Sequence, residues 1–279
     1  MFGTLYIVPT PIGNLRDITL RAIDVLKEVD LIACEDTRRT AKLLNHLDIK
    51  CKMISYFEHN KEKKGEIIID ILSQGRSVAL VSDAGVPAIS DPGEELVELC
   101  IKKGINIIPL PGACAFITGL VASGLSTKSF LFEGFLSVNK SIRSQRLKDL
   151  MEEQRTIIFY EAPHKLLRTL KDLYDYLGER KVVLARELTK IHEEFYRDKL
   201  SGSIKKYEGV KVKGEVVILL EGARINKRGV EELSNEDIAK KIDLLIKEGM
   251  GKNEAIKNVA KTHNLNKREV YKKYSEIGS

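Results

Sequence analysis

Over residues 1–112, short runs of β-favouring apolar residues alternate with segments of helical spacing, and the runs end in loops rich in proline, glycine or charge. The runs are Leu5–Val8, Leu31–Cys34, Val78–Val81 and Asn106–Ile108, with helical periodicity over Ile18–Glu28, Arg38–Leu47, Lys63–Ser73 and Glu94–Lys103. This rhythm predicts a mostly parallel sheet with helices on both faces. Sheets of this kind bind ligands beyond the carboxyl ends of their strands, where the loops lie.

A second α/β unit is predicted after Gly124, with strands at Phe130–Glu133, Thr156–Tyr160, Val182–Arg186, Glu193–Arg197 and Glu215–Leu220. Its helices are expected at Arg143–Gln154 and Leu166–Leu177. Several of these strands follow one another with no helix between, so the sheet should be mixed. No linker-like stretch separates the halves, which favours a cleft over a tether. The expected organisation is α/β: one domain at 1–123, a second at 124–222, and a basic helical tail at 223–279.

At 279 residues the chain exceeds the roughly 100–200 residues of a typical single domain. Its net charge of +6 is compatible with an RNA partner but also with many other roles. The tail holds 13 Lys/Arg against 9 Asp/Glu and so carries +4 of that charge. Helices are expected there at Ile238–Lys247, Glu254–Lys261 and Lys267–Glu276. Ala260, Asn264 and Val270 fall where a helix-turn-helix needs a small residue, a turn residue and an apolar anchor. Lys267, Arg268, Lys272 and Lys273 decorate the last helix; a solvated three-helix tail is the alternative.

Cys34, Cys51, Cys100 and Cys114 show no CxxC spacing and read as thiols in a reducing compartment. The first apolar run has no basic stretch before it and meets Pro9, so no secretory leader is expected and the location is cytoplasmic. Gly104–Thr127 is uncharged and long enough to span a bilayer. Pro109, Pro111 and Gly112 break it, however, into a strand and a buried helix, Ala113–Ser123.

Neither GxGxxG nor GxxxxGK[ST] appears. The first strand runs into PTPIGNLRDIT (Pro9–Thr19), and the third into SDAGVPAISDPG (Ser82–Gly93). The latter is long and rigid, presents backbone groups to a small ligand, and carries Asp83 as an acceptor for ribose hydroxyls; the alternative is a sharp connection with Asp91 as helix cap. PLPGACA (Pro109–Ala115), FYEAPHK (Phe159–Lys165) and ARELTKIHEE (Ala185–Glu194) end further strands. CEDTRRT (Cys34–Thr40) places Glu35, Asp36, Arg38 and Arg39 beyond the second strand, as a reactive cluster or as caps and surface ion pairs.

In this order the loops resemble the tetrapyrrole methylase superfamily, the class III S-adenosylmethionine-dependent methyltransferases. PTPIGNL, CEDTR, SDAGVPAISDPG, PLPG, YEAPH, RELTK and KGEVVILLEG resemble in particular its ribosomal RNA branch, from about Leu5 to Gly222. Relatives acting on corrinoids usually carry a GDP-type turn where this chain has SDAG.

The resemblance implies S-adenosylmethionine (SAM) in the cleft between two domains and no metal. It also implies a homodimer off the membrane, and methylation of the ribose 2′-hydroxyl of a decoding-centre cytidine in 16S rRNA of the small ribosomal subunit. Cofactor contacts carried over by motif are Pro9, Asp83, Val86, Pro87, Ala113, Cys114 and Ala162. A ribose hydroxyl is a poor nucleophile, and a base near it would help. The motif carboxylates and histidine available are Glu35, Asp36, Glu161, Glu187 and His192, among which the sequence does not choose. Arg38, Arg39, Arg186 and Lys190 suit phosphates or the orientation of carboxylates. Two other readings compete: a methylase of a small molecule such as a tetrapyrrole, and a non-catalytic RNA-binding or assembly factor.

Overall fold

In a computed structural model that describes residues 2–224, 235–263 and 265–277, the predicted alternation is present throughout the first half. The order is β1 (Thr4–Val8), α1 (Leu20–Glu28), β2 (Leu31–Cys34), α2 (Thr37–His46), β3 (Met53–Ser55), α3 (Lys61–Ser73), β4 (Val78–Val81), α4 (Glu94–Lys102) and β5 (Asn106–Pro109). All pairings are parallel, in the spatial order β3-β2-β4-β1-β5. Successive side chains of a strand point to opposite faces, and the core divides accordingly. Leu5, Ile7, Leu31, Ala33, Val78 and Leu80 pack with residues of α3 and α4. Val8, Ile32, Cys34, Ala79 and Val81 pack with α1 and α2 on the other side. β3, three half-buried residues at the sheet edge, is not among the strands expected from the sequence.

The chain continues through α5 (Ala115–Ser123), β6 (Phe130–Phe135), α6 (Lys140–Asp149), β7 (Thr156–Glu161), α7 (Leu166–Leu177), β8 (Lys181–Arg186), β9 (Glu194–Lys199), α8 (Leu200–Tyr207) and β10 (Val216–Leu220). The second sheet has the order β6-β7-β10-β8-β9. It is mixed, as expected: β6 and β7 are parallel, and the other pairs antiparallel. Leu166, Leu170, Leu173 and Leu177 recur at spacings of four and three, so one stripe of α7 is buried against this sheet. Each of those leucines contributes roughly 1.5–3 kcal/mol by leaving water. The opposite face, Ile158, Val183, Ala185, Val217 and Leu219, receives Leu120 of α5 and Ile12 from the first loop. Chain position would place α5 with the first sheet, yet its packing surface is the second.

Both sheets belong to one compact unit, Met1–Ala223, and Arg224–Ser279 forms another. The latter contains α9 (Asn235–Lys247), α10 (Lys252–Thr262) and α11 (Lys267–Ile277) around Ile238, Ile242, Ile256, Val259 and Val270. Ala260 and Val270 are buried, which both the helix-turn-helix and the plain three-helix reading allow; Asn264 lies outside the described residues. Among the described residues, no helix is long and apolar enough to cross a membrane.

Candidate active site

The loops at the strand ends are laced together by backbone hydrogen bonds. Thr10 and Gly85 exchange two, at 2.9 and 3.0 Å, joining the PTPIG loop to the SDAG loop. The Thr10 hydroxyl donates to the Ser82 carbonyl at 3.1 Å, and the Ser82 hydroxyl donates to the Gly85 carbonyl at 3.1 Å. Asp83 ties in the third loop: its carboxylate accepts the Asp36 N–H at 3.1 Å and pairs with the Arg39 guanidinium at 3.0 Å. Gly112 lies against Pro9, where a Cβ would stand 2.5 Å from the proline Cβ. Glycine is required for that approach.

The SDAGVPAISDPG loop holds two non-glycine residues in the left-handed region, Ala88 at φ 65° and Ser90 at φ 64°. In RELTK, Glu187 at φ 49° and Thr189 at φ 64° do the same. Each costs of order 1–3 kcal/mol, and such strain clusters at ligand-binding loops. The RELTK loop docks on the first loop, with the Asn14 N–H donating to the Thr189 hydroxyl at 3.1 Å.

These loops and the ends of the second sheet enclose a cavity of about 410 Å³, a size suited to a small molecule. Of the residues named from sequence, Asp83, Val86, Cys114, Ala162 and Glu35 line it, together with Arg39 and Glu161. Pro9, Pro87 and Ala113 are not on the lining. Pro9 and Pro87 are buried beside it, and the Ala113 carbonyl lies 3.6 Å from where a Gly85 Cβ would stand.

Asp36, Arg38, Glu187, Lys190 and His192 also lie off the lining. Asp36 caps α2 and binds Arg38, whose hydrogen bonds hold its carboxyl down at about 2. Arg38 is 87% exposed. Glu187 accepts from Lys190 at 2.9 Å and from the Glu215 N–H at 3.2 Å; the Lys190 bond leads in lowering its pKa. His192 is exposed.

The structure adds Asp91, Tyr160, Phe135 and Glu215 to the wall. In the alternative reading of this loop Asp91 caps the next helix, but the cap of α4 is Gly93. Burial, then the nearby charges of Glu35 and Asp83, push the Asp91 carboxyl up to about 6, against a weaker opposing bond with Ser82. Burial also raises Glu35, helped by Asp83 and opposed by Arg39. Glu161 is differently placed: its oxygens accept the Thr169 hydroxyl at 2.5 Å and the Ala162 N–H at 2.8 Å.

The lining therefore carries five carboxylates and one guanidinium. A low-dielectric cleft with that balance favours a cationic occupant. Apolar Ile12, Val86, Ile89 and Val217 also line it.

Fold and site together define a methyltransferase class: the chain belongs to the tetrapyrrole (corrin/porphyrin) methylase family, whose model matches residues 4–204. Among solved structures, uroporphyrin III C-methyl transferase from Thermus thermophilus shares the fold, with a TM-score of 0.58 at 17% identity over 78% of this chain and 97% of that one. Within the family, the chain is similar over nearly its whole length to proteins named ribosomal RNA small subunit methyltransferase I. The Halalkalibacterium halodurans protein is 50% identical over 276 residues, covering 98% of this chain and 95% of the relative. The Synechocystis protein is 46% identical over 276 residues, covering 99% and 98%.

Proposed function

We propose that this chain methylates the 2′-hydroxyl of a decoding-centre cytidine ribose in 16S rRNA of the small ribosomal subunit. Its cofactor is S-adenosylmethionine. The observation that carries this reading is the electronegative cleft built from both sheets, in a chain so similar to relatives named for ribosomal RNA methylation. By the same family reasoning, the working unit is a homodimer in the cytoplasm.

A sulfonium cation fits a cavity whose lining is rich in carboxylates and also has an apolar wall. Asp83, Val86, Cys114 and Ala162 would hold the cofactor, with Pro9, Pro87 and Ala113 supporting the loops behind them. When bound, it supplies an already activated methyl group. The remaining work for the protein is to position the ribose hydroxyl and to take its proton.

Glu35 and Asp91 are the carboxylates best placed for that proton. Both line the cavity, and burial favours their protonated forms, which moves their basicity toward neutral pH. Glu161 is engaged in holding the Ala162 peptide. Arg38, exposed on the first turn of α2, suits an RNA phosphate.

The test is to incubate the protein and labelled cofactor with small ribosomal subunits, free rRNA or tetrapyrroles, then map the label. Label on a 16S ribose 2′-oxygen is the expected result. Label on a tetrapyrrole, or on none of the three, overturns the reading.

A further inference from the structure

We propose that Phe135 is the platform on which the target nucleobase stacks after leaving the RNA stack, an inference that rests on the ribosomal RNA reading above. In a regular strand Leu131, Glu133 and Phe135 would share one face, and Leu131 does pack into the helix-covered core beneath α7. Phe132 points the other way, toward the cleft-side cluster. A one-residue slip exchanges the two faces of a strand.

β6 contains such a slip. Phe132 pairs with Ile158, but Gly134 is the next residue in register, opposite Phe159, and Phe135 pairs with Tyr160. Glu133 is the extra residue. The bulge therefore turns Phe135 from the core face to the face it shares with Tyr160, on the cleft lining. Bulges next to active sites commonly re-aim a side chain in this way. Gly134 makes the turn at φ 64°, and a Cβ there would stand 3.4 Å from the Ser90 hydroxyl oxygen. The bulge thus abuts the strained loop that carries Asp91.

The ring is supported from behind. Phe116 stacks on Phe132 at 4.4 Å, Phe132 meets Tyr160 edge-on at 5.0 Å, and Tyr160 meets Phe135 at 5.7 Å. Phe135 ends this series with 59% of its surface exposed. An apolar ring so exposed, fixed at the cleft and reached only through a bulge, has the form of a stacking surface awaiting a partner. Enzymes that modify a nucleotide need one, because a base taken out of its stack must be held elsewhere. The carboxylates of Glu35 and Asp91 line the same cavity as Phe135, so a stacked base and the candidate proton acceptors would share one site.

The test compares wild-type protein with Phe135→Ala, Phe135→Leu and Phe135→Tyr. Methylation kinetics on small ribosomal subunits and calorimetric binding of S-adenosylhomocysteine are measured for each. Phe135→Ala and Phe135→Leu should lose about 10- to 100-fold in kcat/KM for subunits, in line with the loss of one base–aromatic stack. Cofactor-product affinity should stay within about twofold, and Phe135→Tyr should restore most of the rate. Equal rates in all four proteins, or rescue by leucine as good as by tyrosine, overturn the platform. So does a tenfold weaker S-adenosylhomocysteine affinity in Phe135→Ala with subunit kinetics unchanged, which would assign the ring to the cofactor's adenine. Wild-type protein that labels no rRNA removes the functional reading and the platform with it.

Discussion

The hydroxyl of Thr169 donates to the buried carboxylate of Glu161 at 2.5 Å, and through that contact α7 sets the peptide that follows β7. The second Glu161 oxygen accepts the Ala162 N–H at 2.8 Å. Arg143 closes the network, giving one N–H to the Thr169 hydroxyl at 2.8 Å and another to Asp172 at 2.7 Å. Thr169→Val leaves a buried carboxylate oxygen without its donor. It should cost about 1–3 kcal/mol of stability in urea denaturation, with several-fold weaker cofactor affinity by calorimetry. Unchanged affinity would separate Glu161 from the cofactor site.

The carboxylates of Glu35 and Asp91 set the expected pH dependence. Single-turnover methyl transfer should rise with pH through about 6, where Asp91 ionises in the folded protein, and then level off. Asp91→Asn should lower the plateau about 100-fold or more, the contribution expected of a positioned base, and remove that rise. If Glu35→Gln does this instead, Glu35 is the base.

The same group makes a prediction about stability. Its folded pKa lies above the ordinary 3.8, so the folded chain holds the proton more tightly and stability falls as pH climbs from about 4 to about 6. Asp91→Asn should therefore melt higher than wild type above pH 6. The advantage should fade as pH falls below about 4, where wild-type Asp91 becomes protonated in the unfolded chain as well. A melting difference independent of pH would contradict the burial argument.

Gly112 and Pro9 test the join between two loops. Gly112→Val places a Cβ 2.5 Å from the Pro9 Cβ and must displace backbone. The expected cost is about 1–3 kcal/mol, accompanied by weaker cofactor binding because the PTPIG loop moves. Thermal melts and calorimetry on the same sample check both.

In the second unit, Lys267 and Arg268 are exposed on the first turn of α11. The double variant Lys267→Glu, Arg268→Glu should weaken RNA binding and flatten its salt dependence, as loss of phosphate contacts does. Its three-helix core around Ile256 and Val270 is untouched, so melting should not change. RNA affinity equal to wild type would leave the unit a structural appendage.

Most of the strands and helices were legible because their apolar periods are clear: β2, β4 and α7 begin and end where the sequence places them. β3, at three residues, is too short to show a period. α8 was missed because its sequence, LSGSIKKY, has weak helix propensity; buried Leu200, Ser203 and Tyr207 anchor it by packing. The motif loops were legible as a set, and several of their residues do line one cavity. Which acids face it was not, since Asp36 and Asp91 look alike in one dimension. One is turned to the surface by its cap and its arginine, while the other is held against the cleft by a strained loop.

The sequence by itself determined the two α/β halves, the loop chemistry at the strand ends and the family, because each of these is written in local spacing and residue type. Tertiary structure alone decided that α5 packs on the second sheet, that Asp91 joins Glu35 in the cavity, and that a bulge turns Phe135 toward it. Those outcomes depend on which surfaces meet after folding, and a shift of one residue in strand phase is enough to exchange core for cleft.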